Sequence, residues 1–278
     1  MSQAVPSTPR LLILSSHSNP VLSAPINHQT YATRHGYNYL FDATPYISRS
    51  KYDQKYLSIL AAMGNYDWVF WVDNDVYFMN HEIGLERFIP ADEDTDFVFC
   101  NSPLNSGQFT VLNSGAFFVR NSEGARDFLR AALATDLSDV KNWWDTEKNG
   151  LFTNGDQDQI TYVALERGMI GKTIKLVDFT SFNARHFNYT DRHDQHFAIH
   201  LCGAPPKGEQ IALLRAKFNL DPYLLPAGTR YDAALQRSMF FVRPPDKRSW
   251  PAKLLPELIK RPLRRLRRRA RMSIRVLG

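Results

Sequence analysis

Trp68-Val69-Phe70-Trp71-Val72 runs directly into Asp73-Asn74-Asp75. Five consecutive large apolar residues, rich in aromatic and β-branched types, predict a strand buried on both faces, inside a sheet covered by helices. Two carboxylates then follow one residue apart, where the strand leaves the core. In an open α/β sheet ligands bind beyond the carboxyl ends of the strands. Asp73 and Asp75 are therefore candidates for two hard oxygen ligands on a divalent cation. The competing reading is a solvated turn, since Asp-Asn-Asp is also ordinary turn chemistry.

Working outward, Leu11 to Leu14 reads as a first parallel strand that ends in Ser15-Ser16-His17-Ser18-Asn19-Pro20. There small residues such as Ser15 can approach a nucleotide, although a plain Ser/Asn/Pro turn is the better explanation from the sequence alone. Residues 21–36 suit a helix closed by Gly36, and Tyr37 to Asp42 a second strand. Lys51 to Met63 is a helix that Gly64-Asn65 ends. A short helix is expected over 82–90, a strand at Phe97 to Cys100 and a loop over 101–112. A strand follows at Ala116 to Arg120, then helices over 123–135 and 139–147, the first capped from Asn121-Ser122-Glu123. Asn154-Gly155 turns into a helix opening with Asp156-Gln157-Asp158. Acids in a first helical turn also suit the helix dipole, so capping is their alternative role. Ile174 to Val177 and Phe197 to Leu201 complete the strands. Strands alternating with helices in this way indicate an α/β fold.

His200 interrupts the last apolar strand and is followed by Gly203 and Lys207 in a Pro-containing loop. A lone histidine in such a strand is commonly a hydrogen-bonded core residue. Together with Asp73 and Asp75, however, it completes a set that suits Mn²⁺ or a similar ion rather than structural zinc. A dinuclear hydrolase would need more acids and histidines than can be placed around this site.

At 278 residues the chain has room for one large α/β domain or two small ones, and 44% hydrophobic residues are ample for a core. No apolar run is long enough to span a bilayer and no leader pattern is visible at the N-terminus. With only Cys100 and Cys202, buried reduced thiols in a cytosolic protein are expected. The formal net charge of +6 divides unevenly: residues 243–278 carry +11, leaving −5 for residues 1–242. That asymmetry marks a partner surface rather than a feature of the fold. The expected organisation is a domain over 1–242 and a basic tail over 243–278.

The order of motifs resembles retaining glycosyltransferases of the GT-A fold, in particular glycosyltransferase family 34, the α-galactosyl/α-xylosyl transferases. The resemblance runs from about Leu11 to Lys207. It rests on the blocks from Tyr31 to Tyr37, Asp67 to Asp75 and Leu112 to Ser122, on Asp156-Gln157-Asp158, and on His200-Leu201-Cys202-Gly203. A lone Asp-x-Asp is weak, whereas five blocks in this order are specific. The resemblance implies a Rossmann-like mixed sheet flanked by helices, a nucleotide-sugar donor, and Mn²⁺ or Mg²⁺. Asp73, Asp75 and His200 would be the metal ligands, with Asp73 also near the ribose. Lys207 and Lys51 would face the diphosphate, with Ser15 and Gly203 on the donor side. Asn113, Asp156, Gln157 and Asp158 would line the sugar and acceptor side, in a register that fits two ways.

The implied donor is a UDP-sugar, galactose first, with GDP-mannose as the alternative; the acceptor is a glycan or lipopolysaccharide-type glycolipid. Retention of anomeric configuration proceeds either by same-face attack, with a leaving-phosphate oxygen as base, or by double displacement on Asp156 or Asp158. After Arg261, arginines interleave with Leu263, Leu266, Met272, Ile274 and Leu277. That pattern suits a helix lying on an anionic bilayer, which would make the protein cytoplasmic and peripheral on the membrane's inner face. A disordered solvated tail is the simpler alternative. A noncatalytic nucleic-acid or membrane-binding module is the rival of another class, and no nucleic-acid partner is expected.

Overall fold

The computed structural model describes residues 9–16, 22–104, 107–203 and 205–231. The basic tail, and with it the expected amphipathic helix, lies outside the described residues. The elements follow the expected alternation: β1 (Leu11–Ser16), α1 (Ala24–His35), β2 (Asn38–Asp42), α2 (Asp53–Ala62), β3 (Trp68–Val72), β4 (Val76–Phe78), β5 (Phe97–Cys100) and β6 (Asn113–Arg120). There follow α3 (Glu123–Ala134), α4 (Leu137–Trp143), α5 (Thr146–Asn149), α6 (Asp156–Glu166), β7 (Ile174–Val177), β8 (Ala198–His200) and α7 (Lys207–Phe218). Six strands form one mixed sheet in the order β2-β1-β3-β6-β5-β7. β6 runs antiparallel to both of its neighbours, β3 and β5.

All five residues of β3 are buried, and its alternation supplies both faces of the sheet. Val69 and Trp71 join a core with Tyr56 and Ile59 of α2, Phe128 and Leu129 of α3, and Ile160 of α6. Trp68, Phe70 and Val72 join a second core with Tyr31 and Ala32 of α1 and with Phe182 and Phe197. A strand sandwiched this way has no polar face to alternate, which is why it reads as a continuous apolar run. Each such side chain taken out of water contributes about 1.5–3 kcal/mol, so β3 is the anchor of the sheet.

Local signals placed several boundaries. Gly36 closes α1 at φ 71°, a left-handed position at which glycine carries no Cβ penalty. The Ser122 side chain accepts from the Ala125 amide and caps α3. Other expectations are corrected. The helix expected over 82–90 is a single 3₁₀ turn at Leu85–Phe88. The one expected over 139–147 is split into α4 and α5 because the Asp145 carboxylate caps a fresh start. Lys207 opens α7 directly after Pro206, where the sequence suggested loop. β8 does not extend the main sheet; it pairs antiparallel with β4, a strand the sequence did not announce. Cys100 is buried, whereas Cys202 is partly exposed.

Candidate active site

The acids emerge where β3 ends. Because β6 is antiparallel to β3, with Val72 opposite Ala116, the start of β6 lies beside Asp73, whose amide donates to the Gly115 carbonyl at 2.7 Å. Asn113, Ser114 and Gly115 therefore line the same cleft. The β4–β8 ribbon brings in the imidazole: its register sets Val76 opposite His200, and the Leu201 amide donates to the Asp75 carbonyl at 2.9 Å. One ligand atom from each of Asp73, Asp75 and His200 lies within 4.8 Å of the others. Two hard oxygens and one imidazole, with further positions open to oxygen donors, fit a Mn²⁺- or Mg²⁺-type ion better than a closed thiolate site would.

The electrostatics agree with a site built for charge. Asp75 is 6% exposed; it faces His200 Nε2 at 3.5 Å and the Lys207 ammonium at 2.5 Å. Burial works against its ionisation, but these cations outweigh burial and hold its carboxyl well below the usual range. Burial likewise opposes a charge on His200, yet its neighbours Cys202 and Asp75 lift it to about 10. Asp73 accepts from Trp71 Nε1 at 2.8 Å. Its carboxyl is raised, chiefly by burial, with Lys55 acting in the other direction.

Lys55, in the first turn of α2, is the functional residue that sequence reasoning missed. Its ammonium lies 2.5 Å from Asp156 Oδ2 and 3.2 Å from Asp73 Oδ1, and donates to the Ser114 carbonyl at 2.8 Å. Burial disfavours its charge, but the coulombic pull of Asp156 and Asp73 is stronger and raises it. A signal was present. Lys55 precedes Ile59 and Met63 at spacings of four, on the buried side of the helix, where an unpaired lysine is very costly.

The cleft has two lobes that share Tyr52, Asp73 and Asp156. One, about 510 Å³, is lined by Ser16, Lys51, Trp71, Asp75 and Lys207. The other, about 380 Å³, is lined by Asn113, Gln157, Arg185, His200 and Gly203. Lys51 reaches the cleft with its ammonium over the Tyr52 ring. Asn113 uses its side-chain oxygen to accept from the Gly115 amide, and Gln157 accepts from the Ser114 amide. Asp156 also accepts from the Ser114 hydroxyl at 2.8 Å.

Two candidates line neither lobe. Ser15 is buried and hydrogen-bonded to the Tyr39 hydroxyl; strand alternation puts Ser16 on the wall instead. Asp158 is fully buried and accepts from Thr153 and Gly155 around the start of α6. It thus takes the capping role open to acids in a first turn.

Sequence comparisons agree with this geometry. The profile of the galactosyl transferase GMA12/MNN10 family matches residues 14–96. A "Probable glycosyltransferase 7" of Oryza sativa subsp. indica is 31% identical over 114 residues, covering 37% of this chain and 25% of the relative. An uncharacterized alpha-1,2-galactosyltransferase of Schizosaccharomyces pombe is 24% identical over 209 residues, covering 61% and 52%. The chain thus spans a quarter to about half the length of the curated relatives it matches. Among solved structures, a glycosyltransferase involved in the glycosylation of the major capsid of PBCV-1 aligns with a TM-score of 0.55 at 18% identity, covering 73% of this chain and 97% of that one. At that identity the similarity is one of fold. The fold is the GT-A fold of glycosyltransferases. The sequence similarity to glycosyltransferases thus covers part of the chain, residues 14–96 for the family profile.

Proposed function

We propose that the protein is a metal-dependent retaining glycosyltransferase that moves a hexose, galactose in the first instance, from a UDP-sugar to a glycan or glycolipid acceptor. The observation that carries this reading is the meeting of Asp73 and Asp75 with His200, more than a hundred residues away in sequence, on one point of the cleft. These three would hold the divalent cation, which supplies charge neutralisation for a nucleoside diphosphate leaving group. Lys207 and Lys51, in the larger lobe, are the protein's own cations for the same oxygens. Asp156, held by Lys55 and Ser114 on the wall between the lobes, is the carboxylate placed to steady a cationic sugar and orient it towards Asn113 and Gln157. Asp158 is occupied in capping α6, which leaves Asp156 as the carboxylate for any covalent route.

Nucleoside diphosphate release tests this reading. The full chain with Mn²⁺ and UDP-galactose, without acceptor, should hydrolyse the donor slowly. Excess chelator and Asp75→Asn should both stop it, and the product linkage made with an acceptor should be α by NMR. Full activity in chelator, or a β product, would refute the reading. Faster turnover of GDP-mannose would move the donor assignment, and no release from any nucleotide sugar would favour a binding module. The basic tail is proposed to hold the enzyme on an anionic membrane surface near a lipid-linked acceptor. Among the described residues no helix is long and apolar enough to cross a membrane.

A further inference from the structure

The wall behind His200 is more ordered than a packing role requires. His200 Nδ1 lies 2.8 Å from Asn183 Oδ1, and the same oxygen accepts from Arg185 Nη1 at 2.9 Å. Arg185 also donates to the Asn183 carbonyl at 2.7 Å. Asn183 is fully buried and Arg185 nearly so. The segment is pinned against β8: the Ala184 amide donates to the Ala198 carbonyl and the His200 amide to the Ala184 carbonyl. On the ring's other side is Gly115. A Cβ there would meet His200 Cε1 at 2.2 Å and Nδ1 at 2.7 Å.

The donor inventory decides the proton. A guanidinium can only donate, so the amide atom facing Arg185 must be oxygen. The same oxygen faces His200 Nδ1, so Nδ1 must carry a hydrogen. The Asn183 amide nitrogen, buried without a partner among the described residues, shows that the oxygen side dictates the orientation. In the neutral ring the lone pair then belongs to Nε2, the nitrogen that faces Asp75.

We propose that Arg185 and Asn183 form a positioning pair that fixes the His200 tautomer, with Gly115 leaving the space the ring needs, so that Nε2 is presented to a divalent cation at Asp75. This rests on the metal-dependent reading above. Partners of this kind orient metal-binding imidazoles, and their loss commonly lowers metal affinity about 10- to 100-fold. Gly115→Ala acts through sterics alone, because it removes no hydrogen-bonding group.

The test uses the full chain, MnCl₂ for calorimetric affinity and Mg²⁺ for NMR of ¹⁵N-histidine-labelled protein. With Mg²⁺ bound, the parent should show His200 protonated at Nδ1 and bare at Nε2. Asn183→Leu should lower Mn²⁺ affinity about 10- to 100-fold, and Gly115→Ala should lower it as well by displacing the ring. Asn183→Asp, which keeps an acceptor in place, should bind Mn²⁺ close to the parent and retain the Nδ1 proton. A merely structural role would not predict that rescue. A parent with its proton on Nε2, or an Asn183→Leu variant with parental affinity, overturns the proposal while the metal reading stands. A parent that binds no Mn²⁺ removes the metal reading itself. Should Asn183→Leu not fold, the parent's tautomer and Gly115→Ala still decide.

Discussion

Replacing Lys55 with methionine is the sharpest test of how the cleft is held together. Methionine keeps the length and apolar stem but removes the ammonium that separates Asp73 from Asp156. The Lys55 side chain is 7% exposed, and its partners lie at 3.2 and 2.5 Å. Removing one member of a buried ion pair leaves an uncompensated charge and typically costs about 3–5 kcal/mol. Here two carboxylates are left, so the upper half of that range is expected. With a urea m-value near 3 kcal/mol/M, the unfolding midpoint should fall by roughly 1.3–1.7 M. The deficit should also depend on pH. The Asp73 carboxyl is already raised in the native state, and losing the ammonium raises it further. The native variant then binds more protons than the unfolded chain, so its stability falls as pH rises through that window and its deficit shrinks towards acid. Urea titrations of parent and variant at acidic and neutral pH measure both effects. A loss below about 1 kcal/mol, the range of an exposed pair, would refute the view that Lys55 bridges the two acids.

Other expectations follow from single groups. His28 is fully buried, donates towards the Val76 carbonyl at 2.7 Å, and is pushed by burial down to about 4. Between pH 6.5 and 4 the unfolded imidazole takes up a proton that the native one refuses. Stability should therefore be complete above about 6.5 and fall by about 3 kcal/mol as pH drops through that window; His28→Asn should flatten the profile, and an unchanged slope would count against it. Asp158→Ala should cost about 1–2 kcal/mol through loss of the α6 cap. Donor hydrolysis per folded molecule should survive in that variant but collapse in Asp156→Ala; the reverse order would exchange their roles. Deleting residues 243–278 should abolish co-sedimentation with phosphatidylserine vesicles at low salt while leaving donor hydrolysis intact. Unchanged sedimentation would sink the membrane role of the tail.

Much of the fold was legible because it is local. The run Trp68–Val72 is apolar throughout since both of its faces are covered. Gly36 and Ser122 mark helix ends through backbone chemistry confined to a few residues. β4 was not legible, because three residues following Asp75 carry too short a pattern, and their pairing with Ala198–His200 depends on a partner distant in the chain. The split of α4 from α5 turned on one carboxylate that serves as readily in mid-helix as at a cap.

The sequence by itself determined the alternation of strands and helices, the central buried strand, and the acids at its end, since hydrophobic period and turn chemistry are written in neighbouring residues. Only the tertiary structure decided which polar side chains meet. The antiparallel course of β6 sets Asn113–Gly115 beside Asp73, the ribbon register sets His200 against Asp75, and a buried lysine spans Asp73 and Asp156. Each of those meetings depends on strand direction, register or burial between distant segments, for which one-dimensional spacing carries no information.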